Sequence, residues 1–327
     1  MCHAMDTRFM RLAAPAWCPC WFAWATVTLV CSLFYITAAT LTGAVAVVAV
    51  APAGYTALRQ AAIAAIVILG VLGVLPHRPW PAVHRHLGSL WFDIFEVRSD
   101  LPELTEGERY LFVIAPHAVF PFWSWAYASF LHWAYPHLGA VGGGVATILL
   151  RVPLMRQLCC WTGCIPADYK HLKRGLATQS QQLAVEGIAG IFEAERNFRS
   201  DVQVLQLSSR KGFSKLALQT GAHIVPVYCF GNSDAFALAK LPSVLAWVSR
   251  RLRMSLTLFH GWRGTTVPYP VRLTFAHGEV LRIDKQTDAP TQGEIDALHA
   301  RVIDSFRGAF ANGKEPAGYA AQRLVVQ

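Results

Sequence analysis

The chain has 327 residues, of which 54% are hydrophobic and only 15% charged, against about 25% charged in an average soluble protein. That balance excludes a disordered chain, and 8 cysteines are too few for a disulfide scaffold. The net charge is +9 and the mean hydropathy +0.34, with the apolar excess gathered in one region.

From Leu12 to Leu58 no residue is charged, a run of 47 positions; after Arg59-Gln60 a second block, AAIAAIVILGVLGVLP, spans Ala61 to Pro76. A helix of about 20 apolar residues crosses a bilayer, so two passes fit, near Trp21–Leu41 and Tyr55–Leu75. Gly43, Pro52 and Gly54 then fall in the bend. Residues 1–20 read as a cytosolic segment and 21–76 as a transmembrane hairpin. Arg8, Arg11 and Arg78 flank it, which favours both ends on the cytoplasmic side. Arg59 falls near the far interface, where snorkelling carries its charge to the head groups. A cleaved signal peptide fits less well, because the uncharged run is too long and no small-x-small site closes it. A single span plus a re-entrant segment is the competing arrangement.

Beyond residue 80 the chain keeps a net +6, from 25 basic and 19 acidic side chains. That surplus suits an anionic membrane face or a phosphate-bearing substrate. The basic residues do not interleave with aromatics in a nucleic-acid motif, so nucleic acid is not expected as a partner. From Pro81 to residue 327 the composition is that of an α/β domain. Tyr110–Ala115 (YLFVIA), Ile188–Phe192 and His223–Phe230 (HIVPVYCF) read as strands, and Val271–Ala276 alternates as a fourth. Lys211–Gln219 reads as a helix ended by Gly221. Thr291-Gln-Gly-Glu294 is a capping box, and Ile295, Leu298, Val302, Phe306 and Phe310 recur behind it at helical spacing. Strands alternating with helices predict a mixed sheet flanked by helices. Ser243–Phe259, with Arg250, Arg251 and Arg253 among apolar residues, reads as an interfacial helix or equally as a core helix with a basic edge.

Cys18-Pro-Cys20 and the Cys159, Cys160, Cys164 group lack the paired spacing of a zinc site, so no metal is expected. Reduced structural thiols explain them, with S-acylation of Cys18 and Cys20 as an alternative. Gly139 and Gly142–Gly144 fit neither a Walker A loop nor GxGxxG; they read as a turn allowing close approach. The absence of a G-x-S-x-G elbow argues against a serine hydrolase.

His117 directly follows the first strand and Pro116, a position held by scaffold and open to a cleft, suited to a general base. Glu193 ends the run read as the second strand, from which a carboxylate could support the imidazole. Glu186 and Glu195 are rivals for that place. Arg210, Lys211 and Lys215 offer charge-assisted bonds to phosphates, or form an ordinary solvated turn.

Residues 210–231, RKGFSKLALQTGAHIVPVYCFG, closely resemble the R-x-G-F-x-K/R-x-A-x3-G-x3-V-P-x3-F-G signature of the type-2 acyl-CoA:diacylglycerol acyltransferase family, which includes monoacylglycerol and wax-alcohol enzymes. The match falls on Arg210, Gly212, Phe213, Lys215, Ala217, Gly221, Val225, Pro226, Phe230 and Gly231. Arg151, Pro153 and Arg156 with Gly163 and Pro166 resemble the family's R-x-P-x2-R…G-x2-P segment, and Phe259-His260-Gly261 its F-H-G element. The family's H-P-H-G is written here Ala115-Pro116-His117-Ala118, and its G-G-x-x-E as Ala189-Gly190-Ile191-Phe192-Glu193. The resemblance covers most of residues 20–312.

It implies an acyltransferase domain over 81–327 that moves an acyl group from acyl-CoA, as co-substrate, to the free hydroxyl of diacylglycerol, forming triacylglycerol without a further cofactor. His117 would be the base, Glu193 its support, and Arg210, Lys211, Gly212 and Phe213 the substrate-binding turn. Monoacylglycerol, a wax alcohol or a sterol are the alternative acceptors, and a non-catalytic lipid-binding relative is the alternative of another class. The expected location is the endoplasmic reticulum membrane with the domain on the cytosolic side; the family also suggests lipid droplets.

Overall fold

The computed structural model describes residues 8–52, 54–75, 78–186, 188–239 and 258–327. Strand β1 (Met10–Arg11) leads into α1 (Cys20–Val50), which packs against α2 (Thr56–Val74). Helix α1 bends by 53° between Cys20–Leu33 and Tyr35–Val50. The Ser32 hydroxyl donates to the Thr28 carbonyl (2.7 Å) and that of Thr37 to Leu33 (2.8 Å) beside the bend, contacts that open the i−4 ladder and bend helices.

The two halves of α1 face different surroundings. Ala23, Val27, Val30 and Cys31 are buried in the protein core, whereas Val45 and Val50 are exposed, like Leu58, Ile63, Val67 and Ile68 of α2. Helix α2 is by itself long and apolar enough to cross a membrane, with a mean hydropathy of 2.1; α1 qualifies only if its bent halves count as one span. The expected first pass, Trp21–Leu41, falls within a longer helix. The helix runs on through Gly43 to Val50, and one face of its first half is spent on protein packing while Trp21 and Leu29 stay exposed. Arg59, at the bend end of the hairpin, donates from Nη2 to the Val48 carbonyl (3.1 Å), so it caps the last turn of α1, where a cation meets the negative end of the helix dipole.

The rest of the chain runs α3 (Pro81–His86), β2 (Arg98–Ser99), β3 (Tyr110–Ala115), α4 (Trp123–Ala134), β4 (Gly142–Val145), α5 (Met155–Trp161), β5 (Cys164–Pro166) and α6 (Tyr169–Leu176). It continues with β6 (Gln181–Ala184), α7 (Ile188–Asn197), β7 (Val202–Leu205), α8 (Gly212–Thr220), β8 (His223–Phe230), β9 (Ala237–Leu238), β10 (Phe259–His260), β11 (Thr274–His277), α9 (Gln292–Gly313) and β12 (Arg323–Val326). The main sheet has the order β1-β2-β11-β8-β3-β6-β4-β5, and β9–β10 and β7–β12 form two small pairs. Strands β8, β3, β6, β4 and β5 are mutually parallel, and β11 is antiparallel to β8. The mixed sheet with flanking helices is as expected.

Both faces of β3 are covered, as the continuous apolar run requires. Tyr110, Phe112 and Ile114 enter one core with α4 and the first half of α1; Leu111, Val113 and Ala115 enter the other with α6, α8 and α9. Period-2 alternation thus serves two cores instead of core and solvent. Helix α8 stops at Gly221 with φ +71, and the Thr291–Glu294 capping box is closed by both its bonds.

Three other readings change. Ile188–Phe192 lies in helix α7, not a strand; five apolar residues do not distinguish the two by periodicity. The strand beside β3 is β6, whose Gln181 and Gln182 are buried and polar, so a search for apolar runs passes over it. Gly142–Gly144 is the strand β4, not a turn. A Cβ at Gly142 would lie 2.5 Å from Gln181 Oε1 and one at Gly144 2.9 Å from Leu183 Cδ1, so the glycines do permit close approach. The fourth strand sits at Thr274–His277, a few residues later than read. Ser243–Phe259 falls outside the described residues except for its end, where Phe259 opens β10.

The Arg151–Arg156 segment fastens the hairpin to the sheet. Arg156 donates to the carbonyls of Leu150 (2.9 Å) and Leu75 (3.2 Å), and Gln157 to that of Leu72. The last two carbonyls close α2, whose end would otherwise leave them unpaired. The Pro153 carbonyl lies 2.8 Å from the Thr37 hydroxyl of α1, which shares its single proton between this carbonyl and that of Leu33.

Candidate functional site

Three polar residues stand two positions past the ends of three adjacent parallel strands: His117 after β3, Glu186 after β6 and Asn232 after β8. They share the carboxyl edge of the sheet, where open α/β sheets leave a crevice for ligands. His117 lies in a turn that begins with a cis Ala115–Pro116 bond and continues through Ala118 at φ +53. Asn232, buried, donates from Nδ2 to the carbonyls of Pro116 (3.3 Å) and His117 (3.1 Å), tying the turn to β8. The chain enters Asn232 through Gly231, at φ +89, where a Cβ would lie 2.1 Å from the Arg272 carbonyl oxygen.

The His117 ring has its Nδ1 2.9 Å from the Ala118 carbonyl oxygen. A carbonyl only accepts, so Nδ1 carries the proton and Nε2 of the neutral ring keeps its lone pair. Burial pushes the His117 pKa below the ordinary histidine value, against a smaller opposite pull from the Ala118 carbonyl. The ring is therefore neutral and able to take a proton near pH 7.

Glu186 is 1% exposed. Its Oε2 accepts the His117 backbone N–H (2.7 Å) and its Oε1 that of Gln206 (3.1 Å). Burial raises its pKa to about 7, outweighing the two N–H bonds that pull it down; the Glu193 charge adds to the rise and the Arg210 charge opposes it.

Glu193 lies on α7, where its Oε2 accepts from Arg196 (3.1 Å) and its Oε1 from Gln206 Nε2 (3.2 Å). The strand-to-strand adjacency expected for Glu193 and His117 is not found, because α7 is a helix. Among the described residues no hydrogen bond joins the two; Glu193 stands one step out, behind Glu186 and Gln206.

Arg210 is exposed and close enough for its charge to act on Glu186. Lys211 instead pairs with Asp296 of α9 at 2.8 Å. Gly212 begins α8 with open space around it, while Phe213 is buried and packs on His299 with ring centroids 5.5 Å apart. Of the four turn residues, Arg210 and Gly212 face solvent, Lys211 is engaged and Phe213 is core. Sequence reading missed Asn232; its signal was its position directly after the Phe230-Gly231 end of the matched signature.

An aromatic wall joins this site to the hairpin. Tyr35 of α1 meets Phe259 (5.2 Å), Phe259 stacks on Phe120 (5.9 Å, 18°), and Phe120 follows His117 by three residues. The Tyr35 hydroxyl also accepts the Phe259 N–H at 2.9 Å, so the F-H-G segment is one of the places where α1 docks.

The fold and site define an α/β protein with a strand-end histidine beside an apolar hairpin. The family model described as diacylglycerol acyltransferase matches residues 82–327, and the chain belongs to that family. It is 26% identical over 242 residues to Diacylglycerol O-acyltransferase 1 of Eremothecium gossypii, an alignment covering 69% of this chain and 51% of that protein. It is 27% identical over 245 residues to Diacylglycerol O-acyltransferase 2 of Danio rerio, covering 68% and 66%. With Diacylglycerol O-acyltransferase 2-like protein 6 of Homo sapiens it shares 27% over 237 residues, covering 65% and 68%. The chain spans about half to two thirds of the length of these relatives.

Proposed function

We propose that this protein transfers an acyl group from acyl-CoA to the free hydroxyl of diacylglycerol, giving triacylglycerol and free CoA. His117 Nε2 takes the hydroxyl proton as the alcohol oxygen attacks the thioester carbonyl, and the thiolate of CoA leaves. The observation that carries this reading is the neutral His117, its Nδ1 occupied by the Ala118 carbonyl, at the carboxyl edge of the sheet. Membership of the diacylglycerol acyltransferase family and the names of the relatives support the reaction class. Exposed Arg210 is the candidate contact for CoA phosphates. The aromatic wall from Tyr35 to Phe120 supports a lipid acceptor arriving from the hairpin side.

The hairpin of α2 and the outer half of α1 anchors the protein in the membrane, in this reading that of the endoplasmic reticulum, with the sheet on the cytosolic side. Acceptor choice among diacylglycerol, monoacylglycerol and long-chain alcohols is decided by the walls around His117.

The test is acyl transfer in microsomes from a host lacking neutral-lipid synthesis, with labelled oleoyl-CoA and each acceptor in turn. His117→Ala is expected to lower turnover by about 10²- to 10⁴-fold, the range for losing a general base, while leaving the amount of protein in the membrane fraction unchanged. Retained turnover in that variant removes His117 from the chemistry.

A further inference from the structure

Resting on the acyl-transfer reading above, we infer that Glu186 is the carboxylate that positions His117, and that this chain has exchanged a glutamate and a glycine between positions 186 and 190. The geometry carries both halves. Glu186 is the acidic side chain that receives the His117 backbone N–H, and its second oxygen holds Gln206, four residues before Arg210. One buried carboxylate thus clamps the histidine turn to the segment that leads into the basic turn.

Gly190 stands opposite. A Cβ built there would lie 2.8 Å from His117 Cβ, 2.9 Å from Glu186 Cβ and 3.0 Å from Glu186 Oε2. Position 190 therefore points straight at the histidine and at the volume that the Glu186 side chain fills. A side chain on either residue reaches the same place, and the site holds only one. The sequence carries the same statement: Glu186-Gly187-Ile188-Ala189-Gly190 is the G-G-x-x-E pattern with its first glycine and its glutamate interchanged. Read in that register, Glu193 is released from the pattern, in keeping with its bonds to Arg196 and Gln206.

Glu186 acts through His117 and so is a positioning residue. The groups facing it are the His117 N–H from the β3 turn, the Gln206 N–H and Arg210 after β7, Glu193 from α7 and Tyr228 from β8. Its ionised form accepts both N–H bonds without rearrangement. Protonation converts one oxygen from acceptor to donor and breaks one of them. Turnover should therefore fall as pH drops through about 7, and His117 itself, whose pKa burial holds below the ordinary histidine value, protonates at lower pH.

The experiment compares Glu186→Gln, Glu186→Gly, Gly190→Glu and the double variant Glu186→Gly/Gly190→Glu in the microsomal assay, with thermal unfolding in detergent alongside. Glu186→Gln is expected to lower kcat by about 10- to 100-fold with KM for oleoyl-CoA changed less than about threefold, the signature of lost transition-state positioning. Its pH profile should lose the limb near pH 7 and keep the lower one. Glu193→Gln should lose less. Gly190→Glu alone should be the worst, having two carboxylates in one volume, and the double variant should recover at least about tenfold over Glu186→Gly. Undiminished kcat in Glu186→Gln overturns the inference, as does a double variant that unfolds like the wild type yet is no better than Glu186→Gly. If the double variant does not fold, the kcat and pH profile of Glu186→Gln decide. Loss of transfer in His117→Ala with full activity in Glu186→Gln overturns only this inference; retained transfer in His117→Ala overturns the base assignment itself.

Discussion

At the scale of single residues, the histidine turn shows how a sequence departure is absorbed. The family's H-P-H-G ends in glycine, and Ala118 occupies that place with φ +53, a region where a Cβ costs about 1–2 kcal/mol. The turn is nevertheless held, because Asn232 bonds two of its carbonyls and Glu186 its N–H. Ala118→Gly should therefore raise stability by about 0.5–1 kcal/mol, the relieved strain being partly offset by the greater freedom of glycine in the unfolded chain. The check is the thermal midpoint in detergent; an unchanged or lowered midpoint would mean that the alanine methyl contributes packing that outweighs the strain. A gain of turnover in the same variant would mark the natural turn as a weakened site, and no gain would mark it as tuned.

At the scale of elements, the segment with the R-x-P-x2-R pattern has a mechanical role that spacing alone does not suggest. Arg156 and Gln157 donate to the closing carbonyls of α2, and Pro153 accepts from α1, so α5 is the fastening of the hairpin. Arg156→Ala removes charge-assisted bonds worth about 1–3 kcal/mol at a helix end where a cation is favoured. Faster limited proteolysis between α2 and α3 is the expected outcome, with α9 unaffected at the far side of the sheet. Equal cleavage rates in variant and wild type would show that Gln157 and apolar packing hold α2 unaided. The strand that proved to be a helix belongs to this scale. Ile188–Phe192 is an apolar run, but Gly190 must stand against His117, and a helix puts it there.

At the scale of the whole molecule, the apolar hairpin is divided between two tasks. The first half of α1 completes one core of the sheet with Val27, Val30 and Cys31, while α2 and the outer half of α1 turn Val45, Ile63, Val67 and Ile68 outward. At about 25 cal/mol per Å², covering such side chains with lipid favours a membrane strongly. The protein should therefore remain in the pellet on alkaline carbonate extraction of microsomes, and its release to the supernatant would count against an embedded hairpin. The sequence by itself determined the apolar hairpin, the α/β class, β3 and β8, the capping box and the place of His117, because these are local: an unbroken apolar run, a capping pattern, or a proline and a histidine at a strand end. It did not reveal β6, whose buried glutamines find their place only through neighbouring strands. It did not show that Arg59 closes α1, that Phe213 is core, or that Lys211 is held by Asp296. Above all, the sequence pointed to Glu193 as the support of His117, with Glu186 and Glu195 as rivals, since each lies within a few residues of a glycine and an apolar run. Only the packing of β6 and α7 around the histidine turn brought the Glu186 carboxylate to the His117 N–H, for long-range contacts between chain segments are what a local pattern does not contain.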